Sequence, residues 1–350
     1  MSGLRSNLQS ALREIRGYPT LRSAKRLFDS KPLQCSLYVT DQCNLDCAYC
    51  TEYDNSKPHP SLDDLTRWLT RIRDLGTVRV ALVGGEPLMH PDIVEVVRRA
   101  KKLGLLTSLT TNGFLLTKKL VKDLEAAGLE VMKISVDRMT PSEITRKSFK
   151  TVLPKLEVLA GSSINLHITG VLCDDTMGES HAVLKTGLDR GIPTEVRLVH
   201  ADPSQRFRVA PGERERLETF LLWMRHAKEA GVKIHTNDAI LNYQLSLLRG
   251  EHVDWVCSAG FKIFFVSAQG KFWLCSMRHT DQDIMDVTRE TLLANNEAKS
   301  CQDGCGVYCC VNTSMLYQHP LKMVGREALL RLKRIPGPAP DPAPRGAEGM

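Results

Sequence analysis

From Leu33 onward the chain alternates short apolar runs with stretches whose apolar positions recur at helical spacing. Runs of five to eight residues rich in Val, Ile, Leu and Thr predict strands over Gln34–Thr40, Val78–Val83, Leu105–Thr110, Val131–Val136, Ile164–Val171 and Glu195–His200. Helical periodicity predicts helices over Leu62–Leu75, Ile93–Leu103, Lys118–Ala127, Phe149–Ala160, His181–Arg190 and Glu213–Ala230. Ser61 before Asp63 and Asp64, and His90-Pro91-Asp92, read as helix starts. Gly76, Gly104, Gly128 and Gly191 stand just past helical runs and read as stops. Six successive strand–helix units require a parallel sheet with right-handed crossovers, doubly wound or curled into a barrel.

The rhythm changes after Gly231. Phe261–Ser267 and Lys271–Ser276 flank Ala268-Gln269-Gly270 and predict a hairpin, and the stretch to about Tyr317 reads as Cys-rich and irregular. Residues 1–33 place Leu4, Leu8, Leu12 and Ile15 on one helical face, a lead-in helix; the segment is Arg-rich with few acids, so a mitochondrial presequence is the alternative. Five prolines and three glycines after residue 334 mark a disordered tail. The expected organisation is therefore 1–33 lead-in, 34–232 α/β body, 233–334 Cys-rich domain and 335–350 tail.

The chain has 350 residues, 25% charged and 42% hydrophobic, enough for a sizeable core. Its formal charge of +7 is spread without basic blocks or interleaved aromatics, so no nucleic-acid partner is expected. No apolar run approaches the roughly 20 residues a bilayer crossing needs, and no signal peptide is evident, so no membrane role is expected either. Eleven cysteines without a secretion signal point to metal or redox chemistry rather than disulfides.

Three of them form C-x3-C-x2-C (Cys43, Cys47, Cys50) directly after the first strand, where parallel α/β folds carry functional loops. Three thiolates on one loop can hold three irons of a cubane and leave one metal open, whereas structural zinc normally closes with four ligands. A redox pair at Cys47 and Cys50 is the other alternative. The second strand ends in Gly84-Gly85-Glu86-Pro87, a glycine turn whose backbone can approach a ligand and whose carboxylate can accept from an ammonium group.

Together, the triad and the GGEP turn resemble the radical S-adenosylmethionine (SAM) superfamily over roughly Gln34 to His200. The resemblance implies a partial (β/α)6 TIM-like barrel followed by a small Cys-rich hairpin domain. Cys43, Cys47 and Cys50 would ligate a [4Fe–4S] cluster whose open iron binds SAM. Tyr49 would contact the adenine region and the Gly84–Gly85 turn the methionine amino group, with Glu86, Asn112 and Ser135 near the cofactor. Asn165, His167, Arg197 and His200 would line the barrel, and Arg206 with Arg208 could hold an anion or simply be solvated.

The later cysteines resemble a Twitch or SPASM auxiliary module, although the chain has six thiols there instead of seven. Two further four-Cys clusters would need eight thiolates. One auxiliary [4Fe–4S] cluster is expected, on Cys257, Cys275 and two of Cys301, Cys305 and Cys310. Cys309 or an unused thiol could donate a hydrogen atom. A zinc knuckle is the alternative occupant.

The activity so implied is reductive cleavage of SAM and hydrogen abstraction from a substrate C–H bond. A small sugar-like or aminocyclitol-like metabolite, oxidised or epimerised, is preferred to a peptide cross-link, because only 33 residues precede the first strand. A reductant such as flavodoxin or ferredoxin is an implied partner, and the cytoplasm the expected location. A non-enzymatic Cys-rich metal or electron-transfer protein is the competing class.

Overall fold

The computed structural model describes residues 24–332 apart from 160, 173, 199–210 and 233. The lead-in helix, His200, Arg206, Arg208 and the tail lie outside the described residues, except for residues 24–33 at the junction with the first strand. The body is built from β1 (Gln34–Thr40), α1 (Leu62–Asp74), β2 (Arg79–Gly84), α2 (Ile93–Lys102), β3 (Leu106–Thr111), α3 (Lys118–Ala127), β4 (Val131–Ser135), α4 (Phe149–Leu159), β5 (Asn165–Leu172), α5 (Asp174–Asp189), β6 (Thr194–Leu198) and α6 (Arg214–Glu229). After it come α7 (Asp238–Arg249), β7 (Ile263–Val266), β8 (Lys271–Cys275), β9 (Arg278–Asp283), α8 (Arg289–Ala294), α9 (Tyr308–Gln318) and α10 (Pro320–Leu332).

Ser61 caps α1 by accepting from the Asp64 amide at 3.1 Å, and Gly128 ends α3 at φ +95°, a left-handed turn that a Cβ would strain. Strands β1 to β6 pair in parallel, in chain order, as right-handed crossovers dictate. The sheet does not stop at β1. It continues through β7, parallel to β1, and then through the antiparallel β8 and β9, giving the order β6-β5-β4-β3-β2-β1-β7-β8-β9 among the described residues. This is the partial TIM-like α/β barrel expected from the sequence, with its hairpin attached to the β1 edge.

Alternation along the strands separates two environments. Leu37, Val39, Val80, Leu82, Leu109, Met132, Ile134 and Ile168 point outward and pack with Leu65, Leu69, Ile72, Val96, Val97, Leu124 and Val152 of the helices. Inward stand Ser108, Thr110, Lys133, Ser135, His167 and Thr169, all only half-buried. The barrel interior is thus polar and reachable by solvent.

Three elements depart from expectation. The stretch ending near Tyr317 is not wholly irregular, because α9 occupies Tyr308–Gln318; its apolar residues ring the helix and give no amphipathic period. β9 reads Arg-His-Thr-Asp-Gln-Asp, a polar edge strand without the alternation that marks strands in sequence. The fifth helix begins at Asp174, well before His181, since its first turns are mostly polar.

Lys262 fastens the segment before β1 to the hairpin. It is fully buried and donates to the carbonyls of Arg26 at 2.7 Å, Lys31 at 3.0 Å and Asp29, with the Tyr317 ring 4.4 Å from its ammonium. Lys262→Met should therefore destabilise the protein by about 1–3 kcal/mol through orphaned carbonyls, read as a lowered urea midpoint with an unchanged slope. A midpoint equal to wild type would refute this role.

Candidate active site

The loops after β1 and β2 meet backbone to backbone. The Gly85 amide donates to the Thr40 carbonyl at 3.0 Å and the Glu86 amide to the Gln42 carbonyl at 2.8 Å. A Cβ on Gly84 would lie 2.1 Å from the Thr40 oxygen, and one on Gly85 2.3 Å from the Gln42 oxygen. Glycine is required here by the chain's own approach to the loop that carries Cys43, Cys47 and Cys50.

Glu86 is held inside the fold. Its carboxylate is 1% exposed and accepts from Thr111 Oγ1 at 2.6 Å, the Asn112 amide at 2.7 Å and the Leu88 amide at 3.0 Å. It braces the turns after β2 and β3 from behind, with the Lys147 ammonium close enough to act on it electrostatically. Burial pushes its pKa up while these donors oppose the shift. Asn112 is likewise a brace, its side-chain amide donating to Asn44 Oδ1 at 2.7 Å and its oxygen accepting from the Phe114 amide at 3.0 Å.

Cys47 is buried, while Cys43 and Cys50 are half-buried on the same loop. The Cys43 amide donates to Asn55 Oδ1 at 2.8 Å, and Cys47 Sγ lies 3.4 Å from Thr145 Oγ1. Burial raises the pKa of the Cys43 and Cys50 thiols, partly offset by Lys147. Tyr49 hydrogen-bonds Asp137 and accepts from Lys147 Nζ at 3.2 Å. Burial would lower the Lys147 pKa, but Tyr49, Asp137 and the sulfurs of Cys47 and Cys50 hold it well above the lysine range. Thr145 and Lys147 were missed in sequence, and Asp137 was given no role of its own; the signal was the acid two residues beyond β4 at the carboxyl end of a barrel strand. Ser135 sits half-buried on the inward face.

A second thiol group lies around the hairpin. Burial pushes Cys305 up to about 12, with Cys257, Cys275 and Cys301 within electrostatic reach and raising it further. Cys275 is brought down to about 6, chiefly by a hydrogen bond with Cys310. Cys257, Cys275 and Cys301 thus neighbour Cys305, and Cys310 neighbours Cys275. Cys309, next to Cys310 on α9, has Arg197 and Lys133 of the barrel as electrostatic neighbours. Among the described residues no three His, Cys, Asp or Glu side chains close on one ion-sized point; a cubane spreads its thiolates over a wider tetrahedron.

The barrel interior carries Lys133, His167, Glu195 and Arg197. Register places Lys133 beside His167 and Thr169 beside Glu195. Glu195 accepts from Arg197 Nη2 at 2.5 Å, and His167 packs edge-on against His235 with centroids 4.3 Å apart. Burial would raise the Glu195 pKa, yet Arg197 and Lys133 hold it far below the carboxylate range. Burial and the neighbouring cations lower His167 to about 3 and His235 to about 4. Asn165 begins β5, half-buried.

Residues 37–185 match the Radical SAM superfamily, whose cofactors are a [4Fe–4S] cluster and SAM. The chain is 40% identical over 118 residues to a GTP 3',8-cyclase of Limosilactobacillus fermentum, a match covering 31% of this chain and 35% of that protein. It resembles the structure of anSMEcpe with bound AdoMet at TM-score 0.60 and 16% identity, over 85% of this chain and 100% of that one. It also resembles Streptococcus suis SuiB bound to precursor peptide SuiA, at TM-score 0.57 and 17% identity, over 82% and 72% of the two chains. The structural likenesses show the fold. Matches to curated relatives span less than half of those proteins' lengths. Among the described residues no helix is long and apolar enough to cross a membrane.

Two measurements test this geometry. Gly85→Ala should keep the helical content of the fold yet lose most of its iron, because the new Cβ displaces the cysteine loop; wild-type iron per chain would count against it. His167 and His235 stay neutral in the folded state, whereas an unfolded histidine titrates near 6.5. Their contribution to stability is therefore full above about pH 6.5 and declines as pH falls toward 4. Urea midpoints should drop over that window, and a double His→Asn variant should flatten the slope.

Proposed function

We propose that this radical SAM superfamily enzyme abstracts hydrogen from a small polar substrate held inside its barrel, and that a Twitch- or SPASM-like auxiliary cluster removes the resulting electron. The carrying observation is a polar, solvent-reachable chamber that meets a cysteine-bearing loop at one end and a second cysteine group across α9.

The donor sets fit their groups. Cys43, Cys47 and Cys50 are three thiols on one loop, with no fourth local Cys to close the site. They would ligate the first cluster. When bound with SAM, that cluster supplies a 5′-deoxyadenosyl radical after one-electron reduction by a flavodoxin- or ferredoxin-like donor. Lys147 places a positive charge beside the sulfurs of Cys47 and Cys50 and partly offsets the burial that raises the Cys50 thiol. Tyr49, held between Asp137 and Lys147, presents its ring beside the third cysteine, where an adenine can stack. The Gly84–Gly85 turn offers bare backbone to the methionine end. Ser135 stands on the chamber wall. Cys257, Cys275 and two of Cys301, Cys305 and Cys310 would supply the four auxiliary ligands.

Substrate oxidation would follow if the substrate radical lost a proton and gave its electron to the auxiliary group. A hydrogen atom from Cys309, whose α9 position adjoins the chamber, would give epimerisation instead, leaving a thiyl radical that one electron from the flavodoxin- or ferredoxin-like donor and a proton would return to the thiol. A peptide substrate is the second reading, favoured by the fold shared with SuiB, which is known bound to its precursor peptide. The charged lining of this chamber favours the small polar substrate.

The test is anaerobic reconstitution, iron and sulfide analysis, and assay of 5′-deoxyadenosine with dithionite and SAM. About eight irons per chain with cleavage is the expected result for two cubanes. Cys47→Ala should abolish cleavage, while Cys275→Ala should retain it and stop product formation. Zinc without cleavage would remove the enzyme reading, and equal loss in both variants would remove the division of labour.

A further inference from the structure

The inner wall formed by Lys133 at the middle of β4, His167 in the first half of β5, and Glu195 and Arg197 of β6 has more hydrogen-bond donors than acceptors. Lys133, 34% exposed, stands 3.9 Å from Glu195 Oε1, beyond hydrogen-bond distance, and its ammonium has no hydrogen bond among the described residues. Arg197, 26% exposed, gives Nη2 to Glu195, while its Nε is buried without a partner. His167 Nδ1 and Gln244 Nε2 are also buried and unpartnered. Gln244 belongs to the same corner, since its oxygen accepts from the Leu198 amide at 3.0 Å.

The charge count agrees with the hydrogen-bond count. Two cations, Lys133 and Arg197, share one carboxylate, with the Cys309 thiol also beside them. Arg79 on β2 adds to the positive field felt by Lys133 and His167. Glu195 is already engaged by Arg197, and burial without acceptors is costly for each remaining donor. A positive excess with unpartnered donors on a solvent-reachable wall is what a bound oxyanion would satisfy, accepting from Lys133 and the free edge of Arg197 together.

We propose that Lys133 and Arg197 form an anion anchor that fixes the substrate inside the barrel by a phosphate or carboxylate group, with Glu195 positioning Arg197. The neutral His167–His235 pair, edge-packed beside Lys133, leaves the anion's negative charge to the lysine and arginine. This assignment rests on reading the barrel interior as the substrate chamber, and it narrows the small polar substrate to an anionic one.

The test titrates the anaerobically reconstituted full chain with inorganic phosphate and, separately, acetate, by calorimetry at low ionic strength. Saturable one-site binding that weakens with added KCl is expected. Lys133→Gln and Arg197→Gln should each weaken it about tenfold or more, and Lys133→Arg should restore most of it. Tighter phosphate binding assigns a phosphorylated substrate; tighter acetate binding assigns a carboxylate. Should a variant fail to fold, the His167 and His235 side-chain NMR signals of the wild type decide, because the bound anion must shift them. Absence of saturable binding, affinity unchanged in both Gln variants, or unmoved histidine signals overturns the anchor. Cleavage of SAM by the same wild-type preparation separates the two ideas. Cleavage without anion binding removes the anchor alone, and anion binding without cleavage removes the radical chemistry alone.

Discussion

One buried carboxylate holds the functional end of the barrel together. Glu86 gathers donors from its own turn and from the turn after β3, and its amide is tied to the Gln42 carbonyl in the loop after β1. Asn112, bonded to Glu86 through its amide, reaches back to Asn44 beside Cys43. A carboxyl group so deep in the fold needs such donors, so the geometry of three loops is fixed by a single requirement for hydrogen-bond satisfaction. The glycines make this possible by letting two backbones touch. The cysteine loop is rigid because its neighbours are, and a site that must align reactive groups benefits from that rigidity.

Much of this was legible from the sequence because it is local. The six barrel strands, the helices between them and the cysteine triad follow from spacing within short windows, and β1 matches its expected bounds of Gln34–Thr40. Glu86 was identified as important, but its partners were not, since Thr111 and Asn112 lie 25 and 26 residues away and reach it only through β2–β3 pairing. The Tyr49–Asp137–Lys147 group spans even more chain, with 88 residues between Tyr49 and Asp137. Such contacts leave no periodicity to read. β9 and α9 were lost for the opposite reason, one being polar throughout and the other apolar all round.

Lys133 was readable in principle. It interrupts Val131-Met132-Lys133-Ile134, a strand in the middle of a parallel sheet, where burial on both faces normally gives an unbroken apolar run. A lysine there must either be paired or face solvent, and in this fold it does the latter inside the barrel. The same logic covers His167 on the neighbouring strand. Departures from the apolar pattern of parallel strands therefore mark which face of the sheet encloses a chamber.

The chamber and the second cysteine group meet at two consecutive residues. Successive positions on an α-helix point about 100° apart, so the start of α9 can present Cys310 to Cys275 and Cys309 toward Arg197 and Lys133. The hairpin that carries Cys275 is itself an extension of the barrel sheet, through the parallel pairing of β7 with β1. Neither group of thiols is therefore on an appended unit free to move relative to the barrel. The first cysteine loop is anchored at the carboxyl end of β1, and the later cysteines are anchored through the strand hydrogen-bonded to that same β1. A single central strand thus fixes the distance between the two sites, with the charged chamber wall between them.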